Sequence, residues 1–319
     1  MARKTRDTLL MAAIQATPGT PETLDAATDS LLVSDFTINT LNAQNVDRAL
    51  IRPYIGGSEQ LVGTAYKEVS FTAELAGSGA AGTAPPWGTL LRGCAFAETV
   101  TPASRVEYTP ITNSLESLTI SCHDSGVKHL LKDARGTVRL MAMVGDRPKL
   151  EFRFVGLDAG DTAEANPSPT LTMWKVPEVV TDANTGDVTL GCTYSAGALS
   201  SGTAYPSTGL ELDLGLDVKH IPMIGAEYVD ITDRQAAGKL MLDLSAAQEV
   251  TFMTNVKANT LQSVGMVHGT GAGKQIVIYA PQVQLINPRK EEKDGIRLIG
   301  FDMRLVPSSG NDELRIVAK

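Results

Sequence analysis

The sequence predicts a mainly β chain: tandem antiparallel β-sandwich or barrel domains, each with one flanking α-helix. Three observations lead there. Apolar and polar residues alternate with period two over many short segments, the signature of half-buried strands. The gaps between them are short and rich in turn formers, with 29 Gly and 16 Pro in 319 residues. The order strand, long connection, strand, helix, strand, hairpin is met once in each half of the chain.

In the first half a strand is expected near Phe36–Thr40, followed by a connection from Asn45 to Gly63. Glu68–Leu75 then sets Val69, Phe71, Ala73 and Leu75 on one face and Glu68, Ser70, Thr72 and Glu74 on the other. Ala84–Cys94 reads as a helix that opens on Pro85-Pro86, where a helix tolerates proline. Ser117–Cys122 alternates again. Thr137–Val144 is turned back by Gly145-Asp146-Arg147-Pro148 into Lys149–Phe154, which makes a hairpin.

The second half repeats this order. Leu210–Val218 alternates throughout and is read as one strand, followed by a connection from Ile221 to Gly238 and a strand over Lys239–Leu244. Ser245 with Gln248 three residues on forms a capping-box pattern, and Val250, Met253, Val256 and Lys257 follow at helical spacing to about Ala258. Gln275–Tyr279, Gln282–Ile286 and Ile299–Leu305 complete the set. Polar alternate faces argue for antiparallel sheets, since parallel sheets are buried on both sides. A diverged tandem duplication follows: an N-terminal arm over 1–30, a first β-domain over 31–157, a junction with a possible outer insertion over 158–208, and a second β-domain over 209–319. Within the junction, a strand pair is expected around Asn184-Thr185-Gly186.

Composition removes several function classes. With 28 Lys plus Arg against 36 Asp plus Glu the net charge is −8, a poor basis for gripping nucleic acid. No apolar run reaches the length of a membrane span. The basic Met1–Arg6 is followed by a short apolar stretch broken by Asp7 and Gln15, so synthesis and folding in a cytoplasm are expected. Cys94, Cys122 and Cys192 are too widely spaced for a disulfide framework or a metal knuckle and are expected as buried thiols. His123, His129, His220 and His268 show no ligand spacing, and His123-Asp124 reads as a turn. Gly269–Lys274 resembles a phosphate loop, but His268 stands where the first glycine belongs and Gln275 where Ser or Thr belongs. A glycine loop between strands is the better reading. No catalytic residue, cofactor or metal is expected.

Three segments agree in order with one family. They are Leu9–Ala12 with Thr17–Pro21; Phe71–Gly79 running into Ala84–Cys94; and Lys128–Leu130 with Asp133–Val138 and Gly145–Leu157. In these the chain resembles the major tail tube proteins of long, non-contractile-tailed bacteriophages. The resemblance is carried by the first half; the second shares the architecture alone. It implies a β-sandwich with a flanking helix, whose subunits form rings that stack into a tube for the genome. The partners it implies are further copies of the chain, the tail tape-measure protein and passing DNA without specific binding, with no membrane. The location it implies is the virion tail.

Under this resemblance two sets of residues become candidates. The long connections carry Ile51, Tyr54, Ile55, Leu61, Ile224, Tyr228 and Ile231, which either reach an adjacent ring or fold back over their own sandwich. The acidic strand positions Glu68, Glu74, Glu211, Asp213, Asp217 and Asp243 either line the lumen or form a solvated outer face. The duplication favours three chains in a pseudo-sixfold ring over a hexamer. A phage ring protein that does not polymerise, such as a tail terminator or head–tail connector, is the alternative. A carbohydrate-binding or hydrolytic sandwich is disfavoured because two Trp supply few aromatic platforms.

Overall fold

The computed structural model describes residues 3–319. The alternating segments become strands because each can bury every second side chain against a facing layer. The first half comprises β1 (Thr8–Ile14), β2 (Ser30–Leu31), β3 (Val33–Asp47), β4 (Gln60–Glu74), α1 (Gly88–Arg92), β5 (Phe96–Thr101), β6 (Arg105–Pro110), β7 (Leu118–Asp124), β8 (Val127–Met143) and β9 (Lys149–Ala163). The second begins with β10 (Val188–Leu190), β11 (Thr193–Ser195), β12 (Ala198–Ser200), β13 (Thr203–Tyr205), β14 (Ser207–Asp213), β15 (Leu216–Met223) and β16 (Ala226–Arg234). It continues with β17 (Ala237–Leu242), α2 (Ala246–Lys257), β18 (Leu261–His268), β19 (Ile276–Lys293), β20 (Ile296–Leu305) and β21 (Arg315–Ala318).

One antiparallel sheet runs through both halves in the order β3–β4–β9–β8–β14–β17–β20–β19. The seam is β8–β14, in register from Gly209 opposite Met143 to Asp213 opposite Arg139. On one face Val69, Phe71, Phe152, Phe154, Leu140, Leu212, Leu240 and Phe301 are buried in a core common to both halves.

The facing layer is built the same way in each half. The N-terminal stretch of β8 pairs with β7, which carries β1 and then β2. The N-terminal stretch of β19 pairs with β18, which carries β10 and then β13. β10 and β13 therefore have counterparts in β1 and β2, whereas residues 158–208 were expected as a junction with an outer insertion. Within the segment expected as an N-terminal arm, Thr8–Ile14 is a strand with Leu9–Ala12 buried. Asp158, expected to open the junction, lies within β9. Around Asn184 a Thr181-based turn and a single bridge from Thr185 to His268 replace the expected strand pair. The C-terminal β21 lies between β19 and β6 and ties the halves together.

Several expectations are corrected. Leu210–Val218 is two strands, because the chain leaves the sheet at Gly215, whose φ is +57° and where a Cβ would lie 2.4 Å from the Gln235 carbonyl oxygen. The two segments around Pro281 are one strand, β19. The proline falls at the irregularity between the Leu261–Gln262 and Val264–His268 pairings of β18, where no ladder donor is needed. α1 is shorter than expected and ends at Gly93. Its Gly88 has no room for a side chain, since a Cβ would sit 2.1 Å from the Tyr108 hydroxyl. α2 has the expected capping box, but its buried anchor is Phe252, packed between Tyr205 and Phe301, while Val250 is exposed. The glycine loop after His268 docks on the first half, with Gly79 N–H donating to the Gly273 carbonyl at 2.8 Å.

His123 is not in a turn. It lies in β7, fully buried, on the same face as Thr119 and Ser121. At Thr119 that face is covered by the chain around Gln15–Asp29: Glu22 N–H donates to the Thr119 hydroxyl, and Thr170 N–H ties the cover down at the Ala26 carbonyl. Burial pushes the His123 imidazole below its usual range, with Glu164 opposing and Lys128 assisting. His268 is depressed by burial as well. A histidine depressed in the folded state binds protons more readily when unfolded. Stability is therefore lost as pH falls through the unfolded value near 6.5. The melting temperature is expected to drop between pH 7.5 and pH 5.5, and His123→Leu to flatten that drop. An unchanged pH profile in the variant would remove His123 as its cause.

Candidate assembly surfaces

The second face of the eight-stranded sheet is polar because the alternation places every second residue there. Glu68, Glu74, Glu211 and Asp213 share this face, as their phase requires. They do not form an acidic wall. Arg153 holds Glu68 through two hydrogen bonds of 2.6 and 2.9 Å, Arg147 holds Glu74 at 2.9 Å, and Arg139 holds Glu211 at 2.5 Å across the seam. In the second half Arg289 pairs with Asp302 at 2.9 Å. Arg139, Arg153 and Arg289 come from neighbouring strands and Arg147 from the turn between β8 and β9, so the balance depends on register and cannot be read along one strand. Asp217 is instead on β15, paired with Lys219, and Asp243 is exposed beyond the end of β17. Asp213 accepts from the Gly215 N–H at 2.8 Å and shapes the bend there.

The sheet ends in two open edges. β3 pairs with β4 alone, and Leu285–Lys293 of β19 pairs with β20 alone. Both edges carry features that discourage indiscriminate pairing. β3 has three register irregularities, and β19 carries Pro288 followed by Arg289, Lys290, Glu291, Glu292 and Lys293.

The second long connection is a hairpin, and the first is a loop over residues 48–59 carried on a paired stem. β3 and β4 stay paired out to Asp47 opposite Gln60, and Ile221–Gly238 is largely the β15–β16 hairpin turning at Ile224-Gly225. The two hairpins sit differently. The β15–β16 stem folds back over β8 and β9 of the first half. There Val229 and Val218 cover Val155, Leu157 and Tyr66, and His220 lies against the Tyr66 ring at 4.8 Å. Arg135 of β8 clamps the stem, donating to the Val229 carbonyl at 2.6 Å and to Asp230 at 3.0 Å. The β3–β4 stem has no such seat: Leu41, Val46, Leu61 and Val62 are exposed.

Of the seven apolar candidates, Ile51, Tyr54, Ile55, Leu61 and Ile224 are exposed, with Ile51, Ile55 and Ile224 fully so. Tyr228, on the outer part of the second hairpin, is exposed as well. Ile231 is half-buried at the hairpin base and packs into its own core, so the fold-back reading applies to it.

At the root of the first hairpin Lys67 is fully buried. Its ammonium meets Asp158 at 2.6 Å and Asp161 at 2.5 Å and donates to the Gly160 carbonyl. Burial would raise Asp161, but the hydrogen bonds from Lys67 and His129 outweigh it and hold the carboxyl below its usual range. This cluster is a structural clamp across β4 and β9. The thiols are buried, and burial pushes Cys122 up to about 12, far from a reactive thiolate. Among the described residues no group of His, Cys, Asp and Glu is arranged to hold a metal ion, and no helix is long and apolar enough to cross a membrane.

A profile described as phage tail tube protein matches residues 5–303, nearly the whole chain. The chain belongs to the phage tail tube protein family. No curated protein matches the sequence. The family match spans both halves, including the second, where the sequence resemblance was architectural only. It makes the chain a structural component of a phage tail, and the open edges and exposed hairpins are the natural places to look for assembly contacts.

Lys67, Arg135, Arg139 and Arg153 were not singled out in the sequence, because their roles arise from cross-strand neighbours. Arg135→Ala is expected to cost about 1–3 kcal/mol, since it frees part-buried acceptors, and to make the chain near Ile224 the first site of limited proteolysis. Arg139→Ala removes a half-exposed pair and is expected to cost under about 1 kcal/mol in a denaturant melt.

Proposed function

We propose that this tail tube protein forms a closed ring by pairing the β3 edge of one copy with the β19 edge of the next, and that the rings stack into the tube of a long, non-contractile phage tail. One observation carries this reading. The β8–β14 seam already joins two equivalent four-stranded blocks inside the chain, and the edges left over are those of the corresponding strands, β19 and β3. Repeating the seam between chains continues the sheet and removes its edges.

Eight strands alone close around side chains without leaving a channel. Three chains, each giving the eight strands named above, would supply 24. At usual strand spacing and tilt that gives a barrel roughly 45–50 Å across between backbones. This favours a trimer with pseudo-sixfold form over a hexamer. The polar face then lines the lumen, with Glu68, Glu74, Glu211 and Asp213 in it and Asp243 at its rim. Its charge-paired surface supports passage of DNA and of the tape-measure protein without retention, because bound phosphate needs unpaired cations. The role is structural and non-catalytic, with assembly in the host cytoplasm before incorporation into the virion.

The exposed tips at Ile51, Tyr54, Ile55 and Ile224 are the contacts to the next ring. Such head-to-tail contacts do not close and so give a filament.

Negative-stain electron microscopy at high protein concentration, with end-on views averaged, tests the reading. Stacked rings with a central hole and stronger threefold than sixfold symmetry are expected. Isolated rings that never stack would favour the terminator or connector alternative, and a monomer at every concentration would contradict ring formation. Ile51→Asp with Tyr54→Asp is expected to leave a folded protein that forms rings but no tubes; tubes from this variant would exclude the tip as a stacking contact.

A further inference from the structure

The two hairpins are equivalent by position, yet only one has a seat. The last strand-phase apolar residue before α1 is Leu75, and before α2 it is Leu244. Aligning these brings the Phe71–Phe152 pair onto Leu240–Phe301. The seat of the β15–β16 stem, Tyr66, Val155 and Leu157, then corresponds to Gln235, Arg304 and Val306. In the first half the seat is apolar and covered. In the second half these three residues line an open cavity of about 510 Å³, with Pro307 and Asn311 on its rim. Arg304 is exposed there and has no ion-pair partner among the described residues.

Resting on the ring reading above, we propose that the exposed β3–β4 stem of one copy lies across this cavity in the next copy of the same ring. The occupant is a second copy of this chain because the contact continues one the chain already makes with itself. A hairpin stem leaves one block and crosses the end of the strand pair in the adjacent block, where an arginine grips its backbone. Arg135 is that arginine inside the chain; Gln284 stands at its position in the second block, and Arg304 opposite it on β20 is placed to grip the stem between chains. Leu61 and Val62, exposed on the free stem, are buried by the contact, while the tip at Ile51–Ile55 stays free. The stems thus hold each ring together, and the tips are left to reach the next ring.

The test places a benzophenone side chain at Val62, illuminates the assembled protein and identifies the linked peptides. Equal parts of light and ¹⁵N-labelled chains separate links between copies from links within one. Links between copies that end in residues 231–236 or 304–313 are expected. Arg304→Glu should reduce their yield at least tenfold while circular dichroism stays unchanged. Rings visible by microscopy whose links end elsewhere would overturn this seat and leave the ring reading standing. Absence of both rings and links between copies would overturn both.

Discussion

Five backbone residue pairs, from Gly209 opposite Met143 to Asp213 opposite Arg139, join what would otherwise be two separate sandwiches. Much of the architecture depends on this seam. It places Leu212 beside Leu140 in one core and brings Arg139 within reach of Glu211 on the other face. Because β14 runs directly on into β15–β16, it also delivers that hairpin onto β8 and β9. The seam is short and its single ion pair is half exposed, so the main stabilisation comes from the shared apolar face, which both halves bury together. β21 secures the same union in the facing layer by pairing with a strand from each half.

A duplicated chain of this kind meets the same problem at each end. What satisfies the backbone at β8–β14 is missing at β3 and β19, and an open edge is a liability unless it is paired. The irregularities of β3 and the proline and charges of β19 fit edges that accept one partner in one register and reject others. The same asymmetry is found in the hairpins: one stem is clamped by Arg135 and covers Val155 and Leu157, while the other leaves Leu61 and Val62 in solvent. The family to which the chain belongs supplies the context in which a protein with two unmet edges and one unmet stem is a component rather than a finished object.

The fold class was legible in the sequence because period-two alternation survives in nearly every strand and because Ser245 and Gln248 cap α2 as their spacing requires. The order of elements was legible only in outline: β5, β6, β18 and β21 were not read, and β18 rather than the segment from Gln275 follows α2. What escaped was set by contacts distant in sequence. Leu210–Val218 alternates without interruption, yet the bend at Gly215 is imposed by close approach of Gln235. His123 looked like a turn residue, but its position opposite Leu9 in the β1–β7 ladder buries it. The acidic residues of β4 and β14 share a face as their phase requires, whereas Asp217 and Asp243 leave it, and the neutralisation by Arg153 and Arg139 depends on which strands lie beside them. Of the nominated contact residues, Ile51, Ile55 and Ile224 stand at hairpin tips where turn residues and apolarity coincide. Ile231 has the same apolar character but lies at a hairpin base, a distinction that periodicity does not carry.

Hydrogen exchange followed by mass spectrometry, on the monomer and on the assembled protein, tests the edge-pairing account most directly. In the monomer, peptides spanning the β8–β14 seam are predicted to exchange slowly, and those covering residues 33–40 and 285–293 to exchange faster. On assembly both edge peptides should become as protected as the seam, and together. Rings in which either edge continues to exchange at its monomer rate would contradict the account.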